Sequence, residues 1–244
     1  MIEIKNVSKS YVNGKKSVDS LTLDIKNGEI FGFLGPNGAG KTTTIRMMTG
    51  ILNMDEGDIL IDGKSIKQEP LEAKKNFGFV PDSPDMFLKL KGIEYLTFMA
   101  DVYDVPKDKR KEKIEELTKK FEIYNELNNE IQSYSHGMRQ KIVICGALLS
   151  EPKNWILDEP MTGLDPKSSF DLKEMMREHA KSGKTVFFST HVLEVAEKLC
   201  DRVGIINKGK LVFVGTFDEM KQKFKEETSL EKLFLEITEK SENN

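Results

Sequence analysis

The sequence has few of the residues that build covalent or metal-bound frameworks. Only two of its 244 residues are cysteine and three are histidine. Two cysteines are too few for a disulfide framework or a cysteine-based zinc site. The histidines, at positions 136, 179 and 191, are too scattered along the chain to suggest a cluster. These counts exclude the small disulfide-rich and zinc-stabilised classes of protein.

Long apolar runs and a strong charge imbalance are also missing. Uninterrupted apolar segments such as residues 142–149 fall well short of the roughly 20 residues that a membrane-spanning helix needs. Residues 1–5 lack the basic start and apolar stretch of a signal peptide. The net charge of −3 gives no reason to expect nucleic acid as a partner. We therefore expect a soluble cytoplasmic protein that reaches a membrane only through a partner.

The composition that remains is that of a folded protein. Hydrophobic residues make up 38% and charged residues 32% of the chain, which is too apolar for disorder. Its length suits one large domain or two modest ones with a sizeable core. We find no internal repeat and no low-complexity linker.

Hydrophobic periodicity predicts strands at both ends of the chain. Residues 1–34 alternate between apolar and polar, which is typical of half-buried, antiparallel strands. Short apolar runs at 30–34, 77–80, 155–157 and 185–188 suit strands of a parallel sheet that is buried on both faces. Polar residues follow each run, and ligands of open α/β sheets bind at the carboxyl ends of the strands. The pattern predicts one shared site at that edge.

Residues 84–150 have the spacing of helices and predict a helical insertion between two strands. Its charged stretch, 107–120, has two interpretations: a basic patch for acidic partners, or a solvated helix face. The second is favoured because acidic residues alternate with the basic ones. Beyond His191 we expect a helix, a strand hairpin over about 202–214, and terminal helices over 217–239.

Residues 35–42 match the phosphate-loop pattern G-x-x-x-x-G-K-[ST] at every fixed position, between an apolar strand and a helical segment. Glycines let successive N–H groups point at a phosphate, and the helix N-terminus adds a favourable dipole. Lys41 is expected to reach the β- and γ-phosphates, and the Thr42 hydroxyl to bind Mg²⁺. The predicted nucleotide-binding residues are Gly35, Pro36, Asn37, Gly38, Ala39, Gly40, Lys41, Thr42 and Thr43.

Two carboxylates, Asp158 and Glu159, end the apolar run at 155–157. In phosphate-loop enzymes, an acid at such a strand end holds Mg²⁺, and a neighbouring glutamate can polarise the attacking water. Taken alone, the pair would be better explained by helix capping. A phosphate loop in the same chain favours the catalytic interpretation.

Together with three further motifs, these sites resemble the ATP-binding subunit of ATP-binding-cassette (ABC) proteins. The further motifs are Tyr134–Gln140, Thr162–Pro166 and Ser189–His191, and the resemblance covers essentially the whole chain. It implies an α/β phosphate-loop NTPase core, mainly a parallel sheet with helices on both faces, plus an N-terminal antiparallel β subdomain and an inserted α-helical subdomain. The implied division is a nucleotide-binding core (1–83 and 151–215), a helical subdomain (84–150), and C-terminal helices and tail (216–244).

The resemblance also implies how the remaining site residues act. Two subunits would enclose two ATP molecules head to tail, with Ser135 and Gly137 contacting the γ-phosphate that the other subunit's phosphate loop holds. Asp165 would bridge the subunits, His191 would hold the γ-phosphate and the attacking water, and Tyr11 would stack on adenine. Ser135 also suits a simple helix cap, and the two roles are compatible.

Three positions depart from the family pattern. His136 stands where the family usually has glycine, and Met138 where it usually has glutamine. Asp82 stands where a glutamine usually binds Mg²⁺ and water. A carboxylate can bind Mg²⁺ but adds negative charge beside ATP. We therefore expect a changed Mg²⁺ dependence or slower hydrolysis.

The segments at 92–105 and 229–235 are similar to the exporter-type branch of the family, which serves drugs, peptides or ions. The resemblance implies an integral-membrane permease partner, a second ATP-binding subunit, and a location on the inner face of the cell membrane. The surface at 84–91 is the expected contact with the permease. Three alternatives stay open: a non-transport ABC ATPase that acts on a soluble assembly, an importer ATPase, and a nucleotide-binding regulatory module without catalysis.

Overall fold

The structure is a computed structural model that describes residues 1–11, 14 and 16–224. Its strands are β1 (Ile2–Ser10), β2 (Lys16–Ile25), β3 (Ile30–Leu34), β4 (Glu56–Ile61), β5 (Lys64–Ser65), β6 (Phe77–Val80), β7 (Asn154–Leu157), β8 (Thr185–Thr190), β9 (Arg202–Asn207) and β10 (Lys210–Gly215). Its helices are α1 (Lys41–Met48), α2 (Pro70–Lys74), α3 (Gly92–Val102), α4 (Lys107–Lys120), α5 (His136–Leu148), α6 (Pro166–Lys181), α7 (Leu193–Leu199) and α8 (Phe217–Phe224).

The central sheet has the strand order β10-β9-β3-β8-β7-β6. All neighbouring strands are parallel except β10, which pairs antiparallel with β9 at one edge. Every residue of β3, β7 and β8 is buried, as expected for short apolar strands covered on both faces. The predicted α/β class with a mainly parallel sheet is confirmed.

A second sheet, of order β2-β1-β4-β5, is antiparallel throughout. Its alternating apolar side chains share one hydrophobic core with α1 and with aromatic rings of the central sheet, among them Phe31 and Phe187. The antiparallel N-terminal strands were predicted, whereas β4 and β5 were not. The sheet packs beside the phosphate-loop helix, α1, and so helps to fix where that helix begins.

The helices α3, α4 and α5 lie between β6 and β7 in the chain. Residues 140–148 of α5 are buried, and they form a core with α3 and with β6 and β7. On α4, Ile114 and Thr118 are buried while most charged side chains are exposed, which is the arrangement of a solvated helix face. A helical insertion therefore follows β6, and the division of the chain into domains stays a prediction.

The predicted terminal helices lie within the described residues only as far as α8; the rest of 217–239, including the segment 229–235, lies outside them. In the part of the chain that the structure describes, no helix is both long and apolar enough to cross a membrane.

Candidate nucleotide-binding site

The phosphate loop joins β3 to α1 at the carboxyl edge of the central sheet. Gly38 and Gly40 have φ angles of +78° and +112°, a region that favours glycine. A side chain on Gly40 would also lie 2.5 Å from the Ser17 carbonyl oxygen. No acidic residue lies in the first turn of α1. The helix therefore presents its positive end without a competing carboxylate of its own first turn.

Lys41 is almost fully buried, and its ammonium is enclosed by the loop. Its Nζ donates to the carbonyl oxygens of Gly35, at 2.8 Å, and of Pro36, at 3.2 Å. It also lies 3.5 Å from Oε1 of Glu159. The cation of the loop is thus paired with a carboxylate that follows β7, which brings two sequence motifs into one site.

Asp158 follows β7 directly and is buried. The Ser189 hydroxyl donates to its Oδ1 at 2.5 Å, and the same hydroxyl accepts from the Glu159 backbone N–H at 2.9 Å. Burial raises the pKa of Asp158, while hydrogen bonds from Ser189 and Thr42 oppose that rise. Sequence reasoning gave Ser189 no role of its own. Its position near the end of β8, the strand beside β7, was the sequence signal that could have indicated a contact with Asp158.

Glu159 lies between two other predicted residues. Its Oε2 is 3.0 Å from Nδ1 of His191, which directly follows β8, and its Oε1 faces Lys41. A cavity of about 350 Å³ opens beside these groups. It is lined by Ser17, Asn37, Gly38, Gly40, Lys41, Thr42, Thr43, Asp82 and Glu159. The site therefore combines a phosphate-binding loop with a glutamate and a histidine that can hold a water molecule.

The donors around this cavity fit Mg²⁺ bound together with a nucleotide. Asp82 and Thr42 line the cavity, and the Thr42 side chain forms a hydrogen bond with Asp158. Among the described residues, no three acidic, histidine or cysteine side chains converge closely enough to hold a metal by themselves. Mg²⁺ is usually bound by one or two protein oxygens, with phosphate oxygens and water completing its shell. The metal roles of Thr42, Asp82 and Asp158 stay predictions.

Other predicted site residues do not line this cavity. Ser135 caps α5, because its Oγ accepts from the backbone N–H of Met138 at 3.3 Å. Asp165 caps α6 and lies 2.9 Å from Nζ of Lys141. Tyr11 follows β1 and is about half exposed. The structure thus brings the phosphate loop, Asp82 and Glu159 together around the cavity. Asp158 and His191 do not line it themselves but contact residues of the site, through Thr42 and Glu159 respectively. Tyr11, Ser135, Gly137 and Asp165 also lie outside the lining.

A strand, phosphate loop and helix beside a buried aspartate and a glutamate define a phosphate-loop nucleotide hydrolase. The chain belongs to the ABC transporter family, whose pattern it matches over residues 18–162. It is an ATP-binding subunit of this family and an ATPase. The identification made from the sequence motifs is therefore confirmed.

Known ABC ATP-binding proteins are similar to this chain over most of its length. It is 40% identical to the ABC transporter ATP-binding protein YhcH of Bacillus subtilis (strain 168), covering 87% of this chain and 68% of YhcH. It is 36% identical to the SkfA peptide export ATP-binding protein SkfE of the same organism, covering 93% and 95%. The solved ATP-binding subunit of an ABC transporter superposes with a TM-score of 0.92 at 31% identity, covering 98% and 99%. A bacterial ABC transporter cassette solved as a dimer has a TM-score of 0.80 at 25% identity, covering 88% and 98%.

Proposed function

We propose that this ATPase subunit powers export through an integral-membrane permease, and that two ATP-binding subunits close head to tail on ATP. The observation that carries the catalytic part is the position of the Glu159 carboxylate, between the Lys41 ammonium and the His191 ring. A base in that place can polarise a water molecule in line with a γ-phosphate held by the phosphate loop.

Each residue at the strand ends has one role in this proposal. Lys41 and the loop N–H groups bind the β- and γ-phosphates. Thr42, Asp158 and Asp82 hold Mg²⁺, which neutralises phosphate charge when it is bound. Glu159 orients and polarises the attacking water, and His191 holds that water and the γ-phosphate. Tyr11 stacks on adenine.

The head-to-tail pairing is supported by the position of the signature residues Ser135 and Gly137. Ser135 and Gly137 lie outside the lining of the cavity, at the start of α5, which leaves them available to a nucleotide that a second subunit holds. The N-terminus of α5, which Ser135 caps, would then point its positive end at the γ-phosphate of the partner. The dimeric cassette with the same fold supports this arrangement. Asp165 would lie at the same contact.

Two observations support the permease partner and the direction of transport: the name of one relative and the exposed apolar side chains of segment 84–91. SkfE, a relative that matches nearly its whole length, carries peptide export in its name. Segment 84–91 follows Asp82 in the chain and carries two exposed apolar side chains, Met86 and Phe87. A permease that contacts this segment would sense the nucleotide site. The subunit would then work on the cytoplasmic face of the membrane, bound to its permease.

Substitution of Glu159 by Gln tests the catalytic part. The amide keeps the size of the side chain but removes its basic oxygen, so MgATP turnover should fall by about 100-fold or more. ATP binding, measured by titration calorimetry, should be retained. The exposed control Glu112→Gln should leave both unchanged. Near-normal turnover in Glu159→Gln would remove this residue as the group that polarises water.

Affinity purification from detergent-solubilised membranes tests the transport part. A multi-span membrane protein should co-purify in stoichiometric amount, and alanine at both Met86 and Phe87 should weaken its retention. Recovery of ribosomes or a soluble scaffold in its place would contradict the transport assignment while leaving the ATPase chemistry intact.

A further inference from the structure

The segment from Glu159 to Asp165, called here the carboxylate loop, connects the catalytic strand end to α6. Its first residue is held by the Ser189 hydroxyl through the Glu159 backbone N–H. Its last residue, Asp165, accepts from the Ser168 backbone N–H at 2.9 Å and so caps α6. The position of the Glu159 side chain therefore depends on how firmly the rest of this loop is fixed.

The start of α5 packs on the middle of the carboxylate loop. Gly163 has a φ of +77°, and the imidazole ring of His136 occupies the place where a side chain of Gly163 would lie, with Cε1 only 2.9 Å from that position. On the neighbouring residue, a side chain at Gly137 would lie 2.6 Å from the Gly163 carbonyl oxygen. Close backbone approach is possible here only because both residues are glycine.

A second attachment lies one turn further along α5. The Lys141 side chain is nearly buried, and its Nζ lies 2.9 Å from Oδ2 of Asp165. The Asp165 carboxylate is half exposed, so the ion pair adds a modest electrostatic hold on the loop to the hydrogen bonds of the α6 cap. Hydrogen bonds from Ser168 and the Lys141 ammonium hold the pKa of Asp165 well below its usual range. The Asp165 carboxylate is therefore ionised at neutral pH.

We propose that His136 and Lys141 are positioning residues that clamp the carboxylate loop and thereby fix Glu159 for hydrolysis. This inference rests on the proposed function, because it takes Glu159 as the group that polarises water. Neither residue lines the nucleotide cavity, so both act through the loop. His136 also gives a physical role to a position where related cassettes usually carry glycine. Because Ser135 begins the same helix, the clamp links the contact with one nucleotide to the glutamate that serves the other.

His136→Gly tests the ring contact and restores the residue that is usual in the family. Loss of the ring should lower kcat by about 10-fold, because small misplacements of a catalytic group are costly. The KM for ATP and the thermal midpoint Tm should stay close to those of the wild type, since the side chain is exposed and does not line the cavity. His136→Phe keeps a planar ring and should recover most of the lost kcat. Unchanged kcat in His136→Gly, or equal loss in both variants, would overturn the role of the ring.

Lys141→Met and Lys141→Arg test the ionic attachment in the same way. Methionine keeps the apolar stem without the charge and should lower kcat, whereas arginine should restore it. Because both residues fix one loop, the double variant His136→Gly/Lys141→Met should lose less than the product of the two single losses. Multiplicative losses would show that the residues act independently and would contradict the clamp.

Glu159→Gln, measured in the same assay, separates this inference from the proposed function. If Glu159→Gln retains turnover, the catalytic part of the proposed function is wrong. The clamp is then wrong too, because it assumes that Glu159 polarises the water. If Glu159→Gln is inactive while His136→Gly and Lys141→Met keep the wild-type kcat, only the clamp is overturned. Inactive Glu159→Gln with selectively reduced kcat in the other two supports both.

Discussion

Glu159 holds a backbone conformation that is unfavourable for a glutamate. Its φ of +48° lies in the left-handed region, which costs a residue with a side chain on the order of 1 kcal/mol or more. The conformation persists because the Ser189 hydroxyl accepts from its N–H, while the N–H of the preceding Asp158 donates to the Val80 carbonyl oxygen at 2.8 Å. Strain of this kind at a strand end turns the carboxylate away from the sheet and toward Lys41 and His191.

At the residue scale, Asp82 adds a negative charge to the lining of the cavity beside the phosphate loop. Asp82→Gln removes one negative charge from the cavity, and that charge is among the causes that raise the pKa of Asp158. We expect Mg²⁺ to bind more weakly and ATP to be hydrolysed faster at saturating Mg²⁺, each by about 3-fold or more. A Mg²⁺ titration of turnover at fixed ATP measures both. If Asp82→Gln matches the wild type as closely as the control Asp218→Asn, at an exposed residue outside the cavity lining, Asp82 is not a Mg²⁺ ligand.

The environment of His179 leads us to expect that the free energy of unfolding falls at acid pH. Its Nε2 is buried and has no hydrogen-bond partner among the residues that the structure describes, and its ring lies beside that of Trp155. Burial and the nearby Lys184 charge lower the pKa of His179 from 6.5 to about 4. The unfolded chain therefore binds a proton at a higher pH than the folded chain. Stability is fully present above about pH 6.5 and is lost as the pH falls toward 4, by at most about 3 kcal/mol.

Urea unfolding at pH 7.5 and pH 5 checks this expectation. His179→Gln should lose less free energy of unfolding between the two values than the wild type, while His136→Gln, at an exposed histidine, should behave as the wild type does. Equal pH dependence in all three proteins would assign the acid sensitivity to other groups.

At the scale of elements, the sequence predicted those helices and strands that a pattern of neighbouring residues marks. The phosphate loop lay between an apolar run and a helical pattern, and the structure has β3 and α1 there. Helix α6 was not predicted, although Asp165 and Pro166 are a good helix start and Leu172, Met176 and Ala180 recur at helical spacing. Strand β4 was missed because its pairing with β1 joins residues about 50 positions apart, which no local pattern reports.

The candidate site also has parts that a local sequence pattern indicates and parts that depend on long-range packing. Strand ends and the glycine pattern indicated Lys41, Asp158 and Glu159 correctly as neighbours, since parallel strands bring their carboxyl ends together. The contact of His136 with Gly163 was beyond sequence reasoning, because it depends on the packing of α5 against a loop that follows another strand. Long-range packing of single side chains has no periodic signature in the sequence.

The cap of α6 makes a testable prediction at this scale. Asp165→Ala removes the acceptor for the Ser168 N–H and should lower the free energy of unfolding by about 1 kcal/mol. Asp165→Asn keeps a capping oxygen and should lose less stability, although it removes the charge opposite Lys141. Chemical denaturation of both variants measures the difference. Equal loss would assign the effect to the ion pair and not to the cap.

At the scale of the whole molecule, the fold separates the groups that a complete site would need. The phosphate loop, Asp158, Glu159 and His191 meet at one edge of the central sheet. Ser135 and Gly137 begin a helix of the insertion and lie outside that cavity. In the proposed head-to-tail pair, a second copy would join the two sets, so ATP would act as part of the contact and favour the closed pair over separate subunits.

The most direct test of this account is the mass of Glu159→Gln in solution, measured by sedimentation velocity with and without MgATP. This variant should bind ATP without consuming it, so the closed pair should accumulate. We predict the mass of one chain without nucleotide and of two chains with MgATP, and Ser135→Arg in the same background should abolish the shift. A single chain with ATP bound at every protein concentration tested would contradict the account.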